Sequence, residues 1–386
     1  MKKGMKIVLA PDSFKESMTA KEACEAMERG IKKVNSNIEC IKVPMADGGE
    51  GTMQSLVDAT KGKVYKVKVN GPLGDEVEAE YGILGNGEIA VLEMASASGI
   101  QLISKEKRNP LKTSTYGTGQ LIKACLNHPI KKILIGIGGS STNDGGAGMI
   151  QALGGRLLDK NGIELPFGGG QLGELEKIDL SNLDKRLKNL EIEVACDVNN
   201  PLVGKNGASF VFGPQKGATK EMVEILDKNL NHFADKIKEA LGKDIKEVHG
   251  AGAAGGLGAG LMAFLNGKLK KGIDMVVEYT KLEENIKEAD MVWTGEGSID
   301  SQTIFGKTPL GVAKIAEKYD VPVIVLAGRV GDKIAELYDN GIDAIFSIMQ
   351  EASSLEEALV KGKENIEKLS ENLIRFMNVK NKDLSC

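Results

Sequence analysis

Aromatic side chains are scarce in this 386-residue chain, at 4% with a single Trp, and its 50 basic residues are outnumbered by 54 acidic ones, a net charge of -4. A polyanion would find neither a positive field nor stacking platforms, so no nucleic-acid partner is expected. No apolar run approaches membrane-spanning length, and no membrane partner is expected. Lys2 and Lys3 precede an apolar run, Ile7 to Ala10, that Pro11 and Asp12 break far short of a signal-peptide core. The five cysteines, at 24, 40, 125, 196 and 386, are odd in number, widely spaced and without a Cys-x-x-Cys pair. Neither a disulfide framework nor a zinc knuckle is suggested, and a cytoplasmic protein is expected. Histidine is rarer still, with three residues, and no Gly-x-Ser-x-Gly elbow accompanies them, so nucleophilic hydrolysis is not expected.

Glycine is abundant, with 48 residues in clusters rather than in a period. That distribution argues for loops approaching a ligand rather than for a repeat array. The pivotal stretch begins with an apolar, β-branched run (Ile133, Leu134, Ile135, Ile137). It stops in a loop of Gly138, Gly139, Ser140, Ser141, Thr142, Asn143 and Asp144, and small residues then open a short helix that Asn143 or Asp144 can cap. Such a loop could cradle an anion, with backbone N–H groups unobstructed by Cβ atoms and the hydroxyls adding donors. It could equally be a tight turn whose glycines serve close packing.

The chain is longer than one core usually serves, so two domains are expected. Residues 5 to 10 read as a buried strand. Thr19 with Glu22 forms a capping box for a helix to about Lys33, and a second strand over 38 to 45 ends in Ala46-Asp47-Gly48-Gly49-Glu50-Gly51-Thr52. Asp47-x-x-Glu50 has the spacing of a capping box as well as the chemistry of a site, and the two readings are compatible. The pattern then changes to a meander, with alternating strands at 64 to 69, 77 to 84 and 89 to 94. A helix near 117 to 127 follows, then a strand over Ile192 to Cys196 ending in Asp197, a turn at Phe212 to Gly217, and a helix over about 219 to 241.

Gly250-x-Gly252-x-x-Gly255 has the form of a dinucleotide fingerprint, which keeps a dinucleotide-dependent oxidoreductase as the alternative function. Only Ile245 and Val248 precede it, however, and no clean second strand with an acidic end follows, so close packing or a phosphate-facing loop is favoured. From about 286 the first pattern returns. Strands over 289 to 294, 321 to 327 and 344 to 349 alternate with helices over 310 to 318, about 331 to 338 and 355 to about 376, with Thr308 as a cap and Pro309 at the first helical position. Five βα units split two and three predict a flavodoxin-like parallel α/β domain, residues 1–66 and 286–386, interrupted by an inserted mixed α/β domain, 67–285.

Ligands of an open parallel sheet bind beyond the carboxyl ends of its strands. The loops Asp12 to Lys15, Asp47 to Thr52, Glu296 to Lys307 and Gly328 to Arg329 therefore share an edge, and a cleft between the domains is expected. Its carboxylates, cations and backbone donors suit a magnesium nucleotide and a small anionic acceptor, with Asp47, Asp144, Asp197, Glu296 and Asp300 as metal candidates. A Walker loop fails, because residue 301 is Ser where glycine is required; Lys307 still begins a helix and can reach a phosphate.

Seven stretches resemble the bacterial glycerate kinase family, type 1, in that family's order. They are Pro-Asp-Ser-Phe-Lys-Glu-Ser (11–17), Ala-Asp-Gly-Gly-Glu-Gly-Thr (46–52), Gly-Ile-Gly-Gly-Ser-Ser-Thr-Asn-Asp-Gly-Gly-Ala-Gly (136–148), Ala-Cys-Asp-Val-Asn-Asn-Pro-Leu (195–202), Phe-Gly-Pro-Gln-Lys-Gly-Ala (212–218), Gly-Ala-Gly-Ala-Ala-Gly-Gly (250–256) and Thr-Gly-Glu-Gly-Ser-Ile-Asp-Ser-Gln-Thr (294–303). The resemblance covers nearly the whole chain and implies ATP-dependent phosphorylation of D-glycerate with Mg²⁺, leaning toward 2-phosphoglycerate. Members often have arginine where this chain has Ser298 and alanine where it has Ser141; Arg329 or Lys307 could supply the missing cation.

On this reading Asp47, Lys15 and Lys307 are the catalytic candidates, and Asp12, Ser13, Glu50, Asp300, Gln302 and Arg329 the acceptor-binding ones. Gly138, Gly139, Ser140, Ser141, Thr142, Asn143, Gly250, Gly252 and Gly255 would cradle ATP, and Asp197, Glu296 and Asp144 would hold the metal. A homodimer is the default expectation for such an enzyme.

Overall fold

The computed structural model describes residues 4–379. In chain order the strands are β1 (Lys6–Leu9), β2 (Glu39–Lys42), β3 (Lys63–Asn70), β4 (Glu76–Ile83), β5 (Ile89–Glu93), β6 (Lys132–Gly136), β7 (Arg156–Leu158), β8 (Lys177–Asp179), β9 (Glu191–Ala195), β10 (Lys268–Lys270), β11 (Met291–Ile299), β12 (Val323–Val330) and β13 (Ala344–Ser347). The chain divides into two compact units. The first comprises Met1–Asp47, Gln54–Thr60 and Ile273–Cys386, and the second Gly48–Met53 and Lys61–Gly272.

The first unit is a five-stranded, wholly parallel sheet in the order β13-β12-β11-β1-β2. Renumbered within the unit this is 2-1-3-4-5, the flavodoxin-like order, whose switch point lies between β1 and β11. The apolar strand β1 is fully buried at Ile7, Val8 and Leu9, as a strand covered on both faces must be. Helix Ala20–Val34 starts in the expected capping box, Thr19 accepting from the Glu22 N–H. It packs on the terminal helix Leu355–Val379 at Gly30, where an added Cβ would lie 2.2 Å from the Glu367 carbonyl oxygen.

Two strands run further than the hydrophobic pattern predicts. β11 continues through Gly295 to Ile299 and β12 through Gly328 to Val330, because the two keep their ladder past the apolar stretch, Ser298 facing Arg329 and Ile299 facing Val330. Glu296, Ser298 and Arg329 are therefore strand residues rather than loop residues, held in fixed register.

The second unit is a six-stranded mixed sheet, β10-β9-β6-β5-β4-β3. The expected meander is its antiparallel half, β3-β4-β5, and β5, β6, β9 and β10 are parallel. β3 pairs with β4 from Lys63 to Asn70, so the division between units falls before Lys63 rather than at 66/67, and after Gly272 rather than at 285/286. β10 and the small β7–β8 ribbon are too short, at three residues each, to leave a periodicity in the sequence.

Candidate active site

In the first unit the carboxyl ends of β1 and β11 bring together a compact group of ionisable side chains. The Asp12 N–H donates to the Gly295 carbonyl (2.8 Å), which pins the loop after β1 against β11. The Asp12 carboxylate accepts from the Ser13 N–H at 2.6 Å and from the Thr308 hydroxyl at 2.5 Å. Thr308, expected to cap the helix Thr308–Glu317, instead reaches across to Asp12; Lys307 occupies the cap position and Pro309 stands in the first turn.

Glu296, on β11, accepts from the Thr303 hydroxyl at 3.1 Å and pairs with the Lys307 ammonium at 3.4 Å. The same ammonium reaches the Ser298 carbonyl at 3.4 Å. Asp300 and Thr303 form a small turn, the Asp300 N–H donating to the Thr303 hydroxyl and the Thr303 N–H to the Asp300 carbonyl. Lys15, Ser13 and Asp47 belong to the same unit, Lys15 exposed and the other two half-buried. Arg329 is exposed on β12 beside Ser298. The Gln302 side chain lies outside the described residues, as does Cys386.

Burial pushes the Asp12 carboxyl up to about 6, opposed by the Thr308 hydroxyl and reinforced by the charge of Asp47. Burial likewise pushes Glu296 up to about 7 against the pull of Lys307. Two neighbouring carboxyls raised toward neutrality by burial, one of them paired with an ammonium, are perturbed groups of the kind that cluster at catalytic sites.

In the second unit the loop after β6 is built differently from the sequence expectation. Ser140, Ser141, Thr142, Asn143 and Asp144 are all buried, and only Gly138 and Gly139 are exposed. The Ser141 hydroxyl donates to the Ser98 carbonyl and the Asn143 amide to the Ser209 hydroxyl, so these side chains face the protein rather than an outside ligand. Thr142 Oγ1 and Asn143 Oδ1 are buried without a hydrogen-bond partner.

Asp144, expected as a metal ligand, accepts from the Thr115 N–H and hydroxyl and from the N–H groups of Gly146 and Gly148. Both its oxygens are thereby taken by donors in a fully buried position, and it caps the helix Ala147–Ala152 in the way an anion would. That corrects its assignment, and it corrects the expectation that the helix's first turn holds donors for a phosphate.

The glycines at 250 to 260 serve packing. Residues 254 to 256 are left-handed (φ 52, 68 and 89), and an added Cβ at Gly255 would sit 2.0 Å from the Thr142 carbonyl oxygen. At Gly252 it would meet the Pro201 carbonyl at 2.2 Å and at Gly250 the Leu269 side chain at 2.6 Å. No strand leads into this segment over residues 242 to 252, so the dinucleotide fingerprint lacks both its strand and an open glycine face.

Asp197 is exposed beyond β9 and accepts from the Gly272 N–H at 3.0 Å. Glu50 is exposed. The N-terminus of helix Thr52–Thr60 is held by Glu93, which accepts from the Met53 N–H at 2.9 Å. Among the described residues no group of three or more His, Cys, Asp or Glu side chains is arranged to hold a metal ion, and no helix is long and apolar enough to cross a membrane.

Three residues escaped the sequence reading. Lys216, 2% exposed, donates to Ser140 Oγ and to the Thr142 carbonyl, each at 2.6 Å; its only sequence signal was its place in the motif 212–218, read as a turn. Thr303 had no signal beyond closing the motif 294–303. Glu93 ends a strand, and nothing local marks it as the cap of a distant helix.

A flavodoxin-like unit with a carboxylate and ammonium cluster at its switch point, joined to a mixed α/β unit with a buried glycine loop, defines a class of two-unit α/β enzymes acting on small anionic substrates. The sequence profile of the glycerate kinase family matches residues 7–378. The chain is 55% identical to the glycerate kinase of Halalkalibacterium halodurans, over 95% of this chain and 97% of that one, and 53% identical to the glycerate 2-kinase of Escherichia coli K12, over 96% and 97%. A crystal structure from Salmonella typhimurium LT2, bearing the name glycerate kinase 2, superposes with a TM-score of 0.91 at 48% identity, covering 98% of this chain and all of that one. The chain belongs to the glycerate kinase family, and it is an enzyme that phosphorylates glycerate.

Proposed function

We propose that the donor is ATP, accompanied by Mg²⁺, that the acceptor is D-glycerate, and that the product is 2-phosphoglycerate. The observation that supports the acceptor side most directly is the grouping of Asp12, Glu296, Lys307, Thr303 and Thr308 at the switch point of the first unit. A hydroxy acid needs a cation for its carboxylate and a carboxylate to orient its hydroxyl. We assign Lys15 and Arg329 to the acceptor carboxylate. Arg329 stands in register with Ser298, so the cation that the family resemblance often places at 298 can here come from the neighbouring strand.

Asp47 is assigned to the reacting hydroxyl. It lies near enough to Asp12 for its charge to bear on that carboxyl, and a carboxylate can accept the hydroxyl proton as the hydroxyl oxygen bonds to the γ-phosphorus and the bond from that phosphorus to the departing ADP breaks. Lys307 is assigned to the charge of the transferred phosphoryl group. Glu296 is a hard oxygen donor of the kind Mg²⁺ prefers, and the ion would supply neutralisation of phosphate charge. In the second unit the exposed Gly138–Gly139 rim, backed by the ammonium of Lys216, is assigned to the nucleotide's phosphates. Ser13, Glu50, Asp300 and Gln302 are secondary acceptor candidates, and Asp197 a secondary metal candidate. An ATP-dependent reaction agrees with a cytoplasmic enzyme; a homodimer would elute from gel filtration at twice the chain mass.

The test is phosphoglycerate formation by the purified protein with D- or L-glycerate, with ATP, GTP or pyrophosphate, and with Mg²⁺ or excess EDTA, followed by phosphorus NMR of the product. Turnover with D-glycerate, ATP and Mg²⁺, giving a phosphorus resonance coupled to the single C2 proton, is expected. Undiminished turnover in EDTA removes the metal, and coupling to the two C3 protons makes the product 3-phosphoglycerate.

A further inference from the structure

A cation lies inside the second unit, beneath the glycine loop. Lys216 ends the short turn Pro214–Lys216, and Gly217 closes it in the left-handed region (φ 92), where an added Cβ would lie 2.6 Å from the Arg108 carbonyl oxygen. The turn is thus wedged against Arg108, and the lysine that precedes the wedge is aimed into the protein. Its Nζ donates to Ser140 Oγ and to the Thr142 carbonyl, spanning the loop from within, and the charge of Asp144 bears on it from the same loop. Burying an ammonium is strongly unfavourable unless partners offset it. A neutral side chain would fill the same space without that cost. Thr142 Oγ1, in the residue whose carbonyl Lys216 holds, is buried without a partner. The only exposed part of the segment is the Gly138–Gly139 rim next to Ser140.

We propose that Lys216 is a positioning residue for phosphoryl transfer: by clamping Ser140 and Thr142 it fixes the Gly138–Gly139 rim in the conformation that receives the nucleotide's phosphates, and its charge favours them there. The proposal rests on the reading that this loop takes the nucleotide. Burial pushes the ammonium down to about 7, with Asp144 opposing, so the lysine is poised between its charged and neutral forms and gains from a nearby anion.

Steady-state kinetics and amide hydrogen exchange of Lys216→Met, Lys216→Arg and Gly138→Val test it. Lys216→Met is expected to raise KM for ATP at least tenfold while KM for glycerate stays within twofold, and to speed exchange of the 138–143 amides without altering the helix Lys220–Leu241. Lys216→Arg, which keeps the charge and donors, is expected to recover part of the ATP affinity. An unchanged KM for ATP, parallel changes in both KM values, or an arginine variant no better than methionine overturns the proposal. Should Lys216→Met fail to fold, Ser140→Ala removes one clamp acceptor without burying a new group; it is expected to raise KM for ATP several-fold, and no rise overturns the proposal. Gly138→Val separates the two levels. Position 138 is exposed and has its nearest neighbour 3.9 Å from an added Cβ, so a Cβ there meets only ordinary contact. If that variant leaves KM for ATP unchanged, the nucleotide reading of the loop fails; if it raises KM while Lys216→Met does not, only the role of Lys216 fails.

Discussion

Glu296→Gln is expected to exchange activity for stability, in a pH-dependent way. The side chain is 13% exposed, and burial raises its carboxyl from the usual 4.5 to about 7. A raised acid binds its proton more tightly in the folded state, so the stability it contributes is present below the unfolded value and lost as pH rises through the folded one. A rise from 4.5 to about 7 corresponds to about 3 kcal/mol, at 1.36 kcal/mol per pH unit. Asp12 is coupled to the same group, so about 2–3 kcal/mol is the working figure. Glutamine keeps an acceptor for Thr303 and has no titration. The difference in unfolding free energy between variant and parent should therefore move by about 2–3 kcal/mol in the variant's favour between pH 4.5 and pH 8. Trp293, the sole tryptophan, is fully buried on β11 three residues before Glu296, so urea unfolding followed by its fluorescence in EDTA reads the relevant unit. Adding Mg²⁺ at pH 8 should then stabilise the parent more than the variant. A difference that stays constant across pH to within about 0.5 kcal/mol refutes the claim that a buried, ionising Glu296 strains this unit.

Three further outcomes follow from single contacts. Asp47→Asn should lower kcat by about a hundredfold or more with little change in KM for ATP, and near-normal turnover would remove Asp47 from the mechanism. Asp144→Ala strips acceptors from the N–H groups of Thr115, Gly146 and Gly148 in a fully buried place, and should cost about 3–5 kcal/mol in urea unfolding followed by far-UV circular dichroism. Gly255→Ala combines a left-handed backbone (φ 68) with a Cβ placed 2.0 Å from the Thr142 oxygen, and should destabilise by about 2–5 kcal/mol while slowing turnover through the displaced loop. A neutral alanine there would mean that the two glycine segments are not in backbone contact.

The parts of the molecule legible in the sequence are those written in local periodicity. β1, the Thr19–Glu22 capping box, the meander and the long helix Lys220–Leu241 each follow from spacing and end signals, and the five alternating βα units were enough to anticipate a flavodoxin-like parallel domain. The strand ends at Ile299 and Val330 were missed because hydrogen bonding between β11 and β12, not hydrophobicity, extends them. Candidate site residues near strand ends, Asp12, Glu296 and Lys307, could be found because topology alone brings such ends to one edge. Their partners Thr303 and Thr308 could not, since a hydroxyl that bonds across 296 positions, as Thr308 does to Asp12, leaves no trace in spacing.

Glycine is where the sequence misleads most, and the reason is general. A glycine-rich segment states only that something must come closer than a Cβ allows; it does not say whether that neighbour is a phosphate or the chain itself. At 250 to 260 the neighbour is the chain: Gly255 lies on Thr142, Gly256 and Gly260 on Gly145, and the Gly145 N–H donates to the Gly255 carbonyl at 3.0 Å. The two segments that most resembled phosphate loops therefore spend several of their glycines on each other and most of the rest on neighbouring parts of the chain. On the proposed nucleotide reading, what is left for the phosphates is the short exposed rim Gly138–Gly139, next to the buried Ser140 and Thr142 that Lys216 holds. A loop fixed that firmly before substrate arrives needs little reorganisation when charge develops on a phosphate, which is the condition under which backbone dipoles contribute most to transfer.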